Sequence, residues 1–273
     1  MKLDERYFIR ESDNYDLLTN NLRKKAANFP GWLMYLAPRI KYTIDFEKKE
    51  NFKHCITKDF WDIQLDESIL NFSLANSLIN RKTTPLEGLT TSWSEKEILS
   101  LLNLALSNGK RHKIYRNQYM PLRNYPSGGA QYPMKLYLAM NCDAGFFKKN
   151  KAYEIHPDVG LISLSRREDS EVNFEDIFAV SHFNKSLYLT VNKIPFSIIF
   201  VMNLKNSFEK YRYLSENLAL LEAGHIAQNL QLVSVALKKH SQPCGGVIAD
   251  IAKHFIGRQN MDDDFVVYGV LFG

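Results

Sequence analysis

Lys210 and Tyr211 set a primary amine beside a phenol, and two glycine pairs lie elsewhere in loops, Gly128-Gly129 in PSGGA and Gly245-Gly246 in QPCGG. Backbone without side chains lets a flat or anionic ligand approach closely, although a tight turn uses glycines in the same way. An arginine turn, Arg81-Lys82-Thr83-Thr84-Pro85, is the third polar feature. On spacing alone, a surface lysine beside a packing tyrosine explains the Lys210-Tyr211 pair better than a proton relay does. After that pair the apolar residues Leu214, Leu218 and Leu221 recur at helical spacing, and the pattern predicts a helix reaching about Leu237. Glu222, His225 and Asn229 draw one polar line across it, at i, i+3 and i+7. Such a line is either three satisfied side chains in a core helix or the edge of a subunit interface or polar ligand.

Other chemistry is missing from the pattern. No GxGxxG follows a strand and no GxxxxGK[ST] occurs, so the two commonest nucleotide cradles are absent. Ser127 lies in PSGGA rather than in a GxSxG elbow. His240, Cys244 and His254 have no CxxC or HxxxH core, so no metal site is expected. The stretch from Lys110 to Tyr125 interleaves cations with tyrosines, but it reads as a solvated or phosphate-facing loop, and no nucleic-acid partner is expected.

The elements that must position these residues can be read in outline. A helix is expected from Ser73 to Asn80, and Ser94 with Glu97 forms a capping box opening a second helix through Leu106, stopped by Asn108-Gly109. Strands are expected at Met134–Met140, Ala152–Ile155, Ser197–Asn203 and Asp264–Phe272, with Phe174–His182 helical. Residues 1 to 70 carry mixed signals and no catalytic spacing. A helix there, Asp16–Asn28, is broken by Pro30-Gly31. They read as an N-terminal appendage to a domain over 71–273.

The chain has 273 residues and a net charge of +5, enough length for one sizeable core and too little charge to demand a polyanion. Its three widely spaced cysteines are no disulfide framework and fit a reducing cytoplasm. The N-terminus is too charged for a signal peptide, and no apolar run approaches the ~20 residues of a membrane-spanning helix. A cytoplasmic protein without a membrane partner is expected.

Arg123-Asn-Tyr-Pro-Ser-Gly-Gly-Ala-Gln-Tyr-Pro133 resembles the RxYPSGGAxYP signature of the SagB/McbC-type azoline dehydrogenases, flavin enzymes with a nitroreductase-like fold. Lys210-Tyr-Arg-Tyr213 and Ala219-Leu-Leu-Glu-Ala-Gly-His-Ile-Ala-Gln-Asn229 resemble the same family's second conserved segment, and Arg81-Lys-Thr83 stands where it has an Arg-x-Ser turn. The likeness covers about residues 73 to 273. It departs at Leu214-Ser215-Glu216-Asn217, where the family carries further arginines that bear on substrate contacts.

The resemblance implies an α+β fold, a central, mostly antiparallel sheet flanked by helices, and FMN held between two subunits of a homodimer. Arg81 and Thr83 would reach the FMN phosphate, a role that suits a guanidinium's paired donors. Arg123, Ser127, Gly128 and Gly129 would belong to the cofactor site, with Gly245 and Gly246 as a second backbone wall. The implied reaction is two-electron oxidation of a peptide thiazoline or oxazoline to the thiazole or oxazole. Lys210 and Tyr211 would be the catalytic pair that removes a ring proton. The azoline comes from cyclodehydratase subunits acting on a leader-bearing precursor peptide, so a complex with both is implied, and residues 1–70 are a candidate docking surface. A generic NAD(P)H-dependent nitro or quinone reductase and a flavin-free scaffold subunit are the other two readings.

Overall fold

The computed structural model describes residues 60–62, 74–107, 109–110, 112–115, 118–165, 172–258 and 262–273. The expected Asp16–Asn28 helix, and most of the appendage, lie outside the described residues. The fold is α+β, as expected, with helices on an antiparallel sheet.

Seven strands run in the order β1 (Phe60–Asp62), β6 (Leu161–Leu164), β5 (Ala152–His156), β4 (Met134–Met140), β7 (Phe196–Met202), β9 (Phe265–Phe272) and β8 (Ser241–Cys244), every neighbouring pair antiparallel. β1 falls inside the segment read as an appendage, yet it pairs with β6. A separate hairpin, β2 (His112–Tyr115) with β3 (Gln118–Pro121), occupies the basic and aromatic stretch expected to be a loop. Its β-branched and aromatic residues were outweighed by its charge in that expectation.

The helices are α1 (Leu74–Asn80), α2 (Glu95–Ala105), α3 (Lys185–Val191), α4 (Lys205–Tyr211), α5 (Leu214–Ala236) and α6 (Ala249–Phe255). The capping box is present: Ser94 Oγ accepts from Glu97 N–H, and Glu97 Oε2 accepts from Ser94 N–H at 2.7 Å. Phe174–His182 forms two 3-10 turns, Glu175–Ile177 and Ala179–His182, rather than one helix. β4 reads as alternating, but both of its faces are covered. Leu136, Leu138 and Met140 pack under α2 and α5, whereas Tyr137 and Ala139 join Phe174, Phe178 and Phe255 on the opposite face. All seven residues of β7 are buried for the same reason.

The predicted helix running on from Lys210-Tyr211 is in fact two. α4 ends with the pair, Arg212 takes φ +49° and ψ −128°, and α5 begins at Leu214. Arg212 N–H closes α4 on the Phe208 carbonyl at 2.9 Å, and the Arg212 carbonyl accepts from both Ser215 N–H and Ser215 Oγ. Phe208 and Tyr213 meet edge to face across the corner, ring centres 6.1 Å apart. A non-glycine residue at positive φ costs on the order of 1 kcal/mol or more and persists where its surroundings over-determine it. The corner sets the direction in which Lys210 and Tyr211 leave α4.

Candidate active site

Two stretches far apart in sequence meet at Gly128-Gly129. Lys210 Nζ donates to the Gly129 carbonyl at 3.4 Å and lies 5.1 Å from the centre of the Tyr211 ring. A Cβ on Gly129 would stand 2.1 Å from Tyr211 Oη and 2.3 Å from Lys210 Nζ, so any side chain there would push the ends of both from their places. The backbone favours glycine too, because Gly129 has φ +55°. Behind Gly128, Leu218 of α5 fills the space a Cβ would take, its nearest methyl 2.8 Å away. The glycine pair is thus packed from behind by α5 and from one side by the Lys210-Tyr211 pair, while Gly129 stays exposed at the surface.

The segment carrying the pair is held by polar contacts along its length. Ser127 Oγ accepts from Tyr132 N–H at 2.9 Å, and Glu222 Oε1 accepts from Met134 N–H at 3.2 Å. Asn229, further along α5, donates to the carbonyls of Ala105 and Asn124. Of the polar line read in the sequence, Glu222 is buried and Asn229 half-buried, but His225 is exposed. Burial pushes the Glu222 carboxyl up to about 7, against the opposing pull of the Ser127 hydroxyl, Met134 N–H and Arg123.

Arg123 occupies all three guanidinium nitrogens within the protein. Nε and Nη2 grip Asp158 at 2.8 and 3.0 Å, Nη1 donates to Tyr125 Oη at 2.6 Å, and the plane lies 4.3 Å from the centre of the Tyr132 ring. Burial opposes its charge, but Tyr125 and Asp158 more than restore it, so its pKa rises. Asp158 sits in the β5–β6 turn, and nothing in the sequence pattern marks it as a partner.

The remaining candidates lie apart from this junction. Arg81 Nη1 donates to Gln231 Oε1 at 3.1 Å, and Thr83 is exposed beside Thr84, whose N–H reaches the Ser241 carbonyl at 3.2 Å. Gln231 is thirteen residues beyond Leu218 on α5, roughly 20 Å of helix. Gly245 and Gly246 follow β8, which is three strands from β4 and therefore offset from it by roughly 14 Å. Both are exposed, and a Cβ on either would meet nothing nearer than 3.6 Å. Among the described residues, no three His, Cys, Asp or Glu side chains are grouped to hold a metal ion, and no helix is long and apolar enough to cross a membrane.

The fold is nitroreductase-like. The chain resembles a crystal structure described as a nitroreductase from Ralstonia eutropha JMP134, at 18% identity and TM-score 0.52, covering 74% of this chain and 82% of that one. A protein described in the same way from Anabaena variabilis matches at 19% and 0.58 over 86% of this chain, but the match spans only 45% of that longer chain. A chain of the E. coli microcin synthetase McbBCD complex with truncated pro-MccB17 bound matches at 17% identity and TM-score 0.54, covering 98% of this chain and 84% of that one. No family model and no curated protein matches the sequence.

Proposed function

We propose that the chain is an FMN-dependent azoline dehydrogenase, acting in the cytoplasm as a homodimer on a leader-bearing precursor peptide beside cyclodehydratase subunits. The observation that carries this reading is the convergence of Lys210 and Tyr211 on Gly129, which joins the two segments of the SagB/McbC resemblance in space. The likeness to a chain of the McbBCD complex supports the same reading.

The residues present fit a flavin. Ser127, Gly128 and Gly129 offer an exposed backbone edge with no Cβ at the last two positions, and Gly245-Gly246 offer a second. Arg81 and Thr83 offer phosphate donors. Arg123 serves the site by bracing the loop rather than by direct contact, since Asp158 and Tyr125 occupy its guanidinium. Bound FMN would supply a two-electron acceptor, and everything else falls to the chain. Lys210 would take the ring proton of the azoline, Tyr211 would orient or relay it, and the Gly129 carbonyl holds the Lys210 amine in place.

About 20 Å of α5 separates Arg81 from Gly128, a longer reach than a five-carbon ribityl chain gives. That span supports a site completed across two subunits. An apolar surface supports it as well, because Leu74, Leu78 and Ile79 of α1 and Leu220 and Leu221 of α5 are exposed, and these two helices pack together. Residues 1–70 remain the proposed docking region for the cyclodehydratase, and deleting them should abolish co-purification with it.

The test compares wild type with Lys210→Ala by absorption spectrum and by mass of an azoline-bearing precursor. Both proteins should carry flavin, and only the wild type should remove two hydrogens per ring, with the variant slowed ~10²–10⁴-fold. Equal activity would remove Lys210 from the chemistry, and absence of flavin under FMN-replete conditions would sink the enzyme reading. The shared fold also admits an NAD(P)H-dependent nitroreductase, for which nitroarene reduction would not depend on Lys210.

A further inference from the structure

Glu222 is 1% exposed, and the reading above gives it no task. A buried carboxylate is costly unless its lone pairs are served, and an apolar residue of similar volume fills such space without loss. Here the service is incomplete. Oε1 accepts from Met134 N–H and the Ser127 hydroxyl faces the group closely enough to favour its charge, yet Oε2 has no partner in hydrogen-bond geometry.

What Glu222 touches is informative. Ser127 and Met134 are the two ends of the segment that presents Gly128-Gly129. Within that segment Gly129, Ala130 and Tyr132 take φ values of +55°, +55° and +49°, two of them in residues with side chains. Such a run relaxes unless its ends are fixed. Glu222 engages both ends, and Ser127 passes the restraint on through its bond from Tyr132 N–H. Leu218, one turn earlier on the same face of α5, backs Gly128.

We propose that Glu222 is a positioning residue that locks the Ser127–Met134 segment from α5, and so fixes the glycine surface offered to FMN and to Lys210. The part of this inference that concerns FMN rests on the flavin reading above. The groups facing Glu222 are Arg123 and Tyr125 from the loop after β3, Asp158 from the β5–β6 turn, and the Ser127 hydroxyl with Met134 N–H. As a carboxylate, Glu222 accepts from Met134 N–H and leaves Oε2 without a partner. Once protonated it keeps that acceptor, gains a donor facing the Ser127 hydroxyl and costs less to bury, so the grip tightens. Glutamine has the same shape with one acceptor and one donor, so it imitates the protonated state at every pH.

The test uses the full chain as wild type, Glu222→Gln and Glu222→Ala. Amide exchange over Ser127–Met134 is measured by mass spectrometry in flavin-free protein and corrected for intrinsic rates. FMN dissociation is measured by fluorescence quenching, both between about pH 5.5 and about pH 8.5. Wild-type protection and FMN affinity should each fall about tenfold as pH rises, with a midpoint near 7. Glu222→Gln should stay flat at the wild-type low-pH level, and Glu222→Ala should be weaker than both throughout. A Glu222→Gln protein whose exchange and affinity track wild type across the range overturns the proposal, whether or not the alanine variant folds. If exchange responds as expected but no protein binds FMN, the positioning role stands and the flavin reading fails.

Discussion

Two glycine pairs lie in exposed loops of this molecule, and their surroundings are opposite. Gly128-Gly129 is crowded by the protein itself: Leu218 behind the first residue, Lys210 and Tyr211 against the second. Gly245-Gly246 is open, its nearest neighbours Tyr268 at 3.9 Å and Ala179 at 3.6 Å from the places where Cβ atoms would stand. The first pair is therefore favoured by the chain's own packing, and its second residue by a positive φ, before any ligand is considered. Nothing in the fold requires the second. If it matters, it matters to something that approaches from outside.

That contrast can be broken by substitution. Gly129→Ala should have the largest effect. It forces a Cβ toward Lys210 and Tyr211 at φ +55°, so the azoline oxidation proposed above should fall ~10²-fold or more and stability by about 1–3 kcal/mol. Wild-type turnover and melting temperature in this variant would show that the two segments do not meet.

Glu222→Gln sharpens the account of how the crowded loop is held. The carboxyl is raised from 4.5 to about 7 in the folded protein, so its stabilising contribution is complete below about pH 4.5 and is lost as pH rises through about 7. Wild-type stability should accordingly decline over that window by up to roughly 3 kcal/mol. The glutamine variant should lack this decline and be the more stable protein at pH 8, as read by denaturant unfolding at several pH values.

Asp158→Asn removes the carboxylate from a nearly buried guanidinium, since Arg123 is 9% exposed at its side chain while Asp158 is about a third exposed. The expected loss is about 2 kcal/mol of stability, smaller than for a fully buried pair. Unchanged unfolding would remove this brace from the loop.

Gly246→Ala has the smallest expected effect on the fold, within about 0.5 kcal/mol. Its FMN affinity should nonetheless drop if Gly245-Gly246 forms a cofactor wall. A variant unchanged in both stability and FMN affinity would confine the flavin surface to the crowded pair.

Much of the scaffold was legible in the sequence because its signals are local. The Ser94–Glu97 box, the strands expected at 134–140 and 197–203 and the helix after Leu214 each rest on spacing within a few residues. The hairpin at 112–121 and the strand at 241–244 were not legible, since a short polar strand takes its identity from its partner. The Asp158 partner of Arg123 was equally hidden, thirty-five residues away in a turn.

The sequence by itself determined which residue types are available at the candidate site: the Lys210-Tyr211 pair, the two glycine pairs and the arginine turn. It also determined a helix over Leu214–Ala236 that is too apolar to stand in water. Tertiary structure alone decided that Lys210 and Tyr211 end α4 rather than open α5. The corner between those helices depends on a positive φ at Arg212, held by contacts among Phe208, Tyr213 and Ser215. It likewise decided that the pair faces Gly129, eighty-one residues away from Lys210, and that Arg81 lies far along α5 from both. Local patterns follow from backbone sterics and side-chain periodicity, whereas meetings across the chain depend on which faces the core forces together.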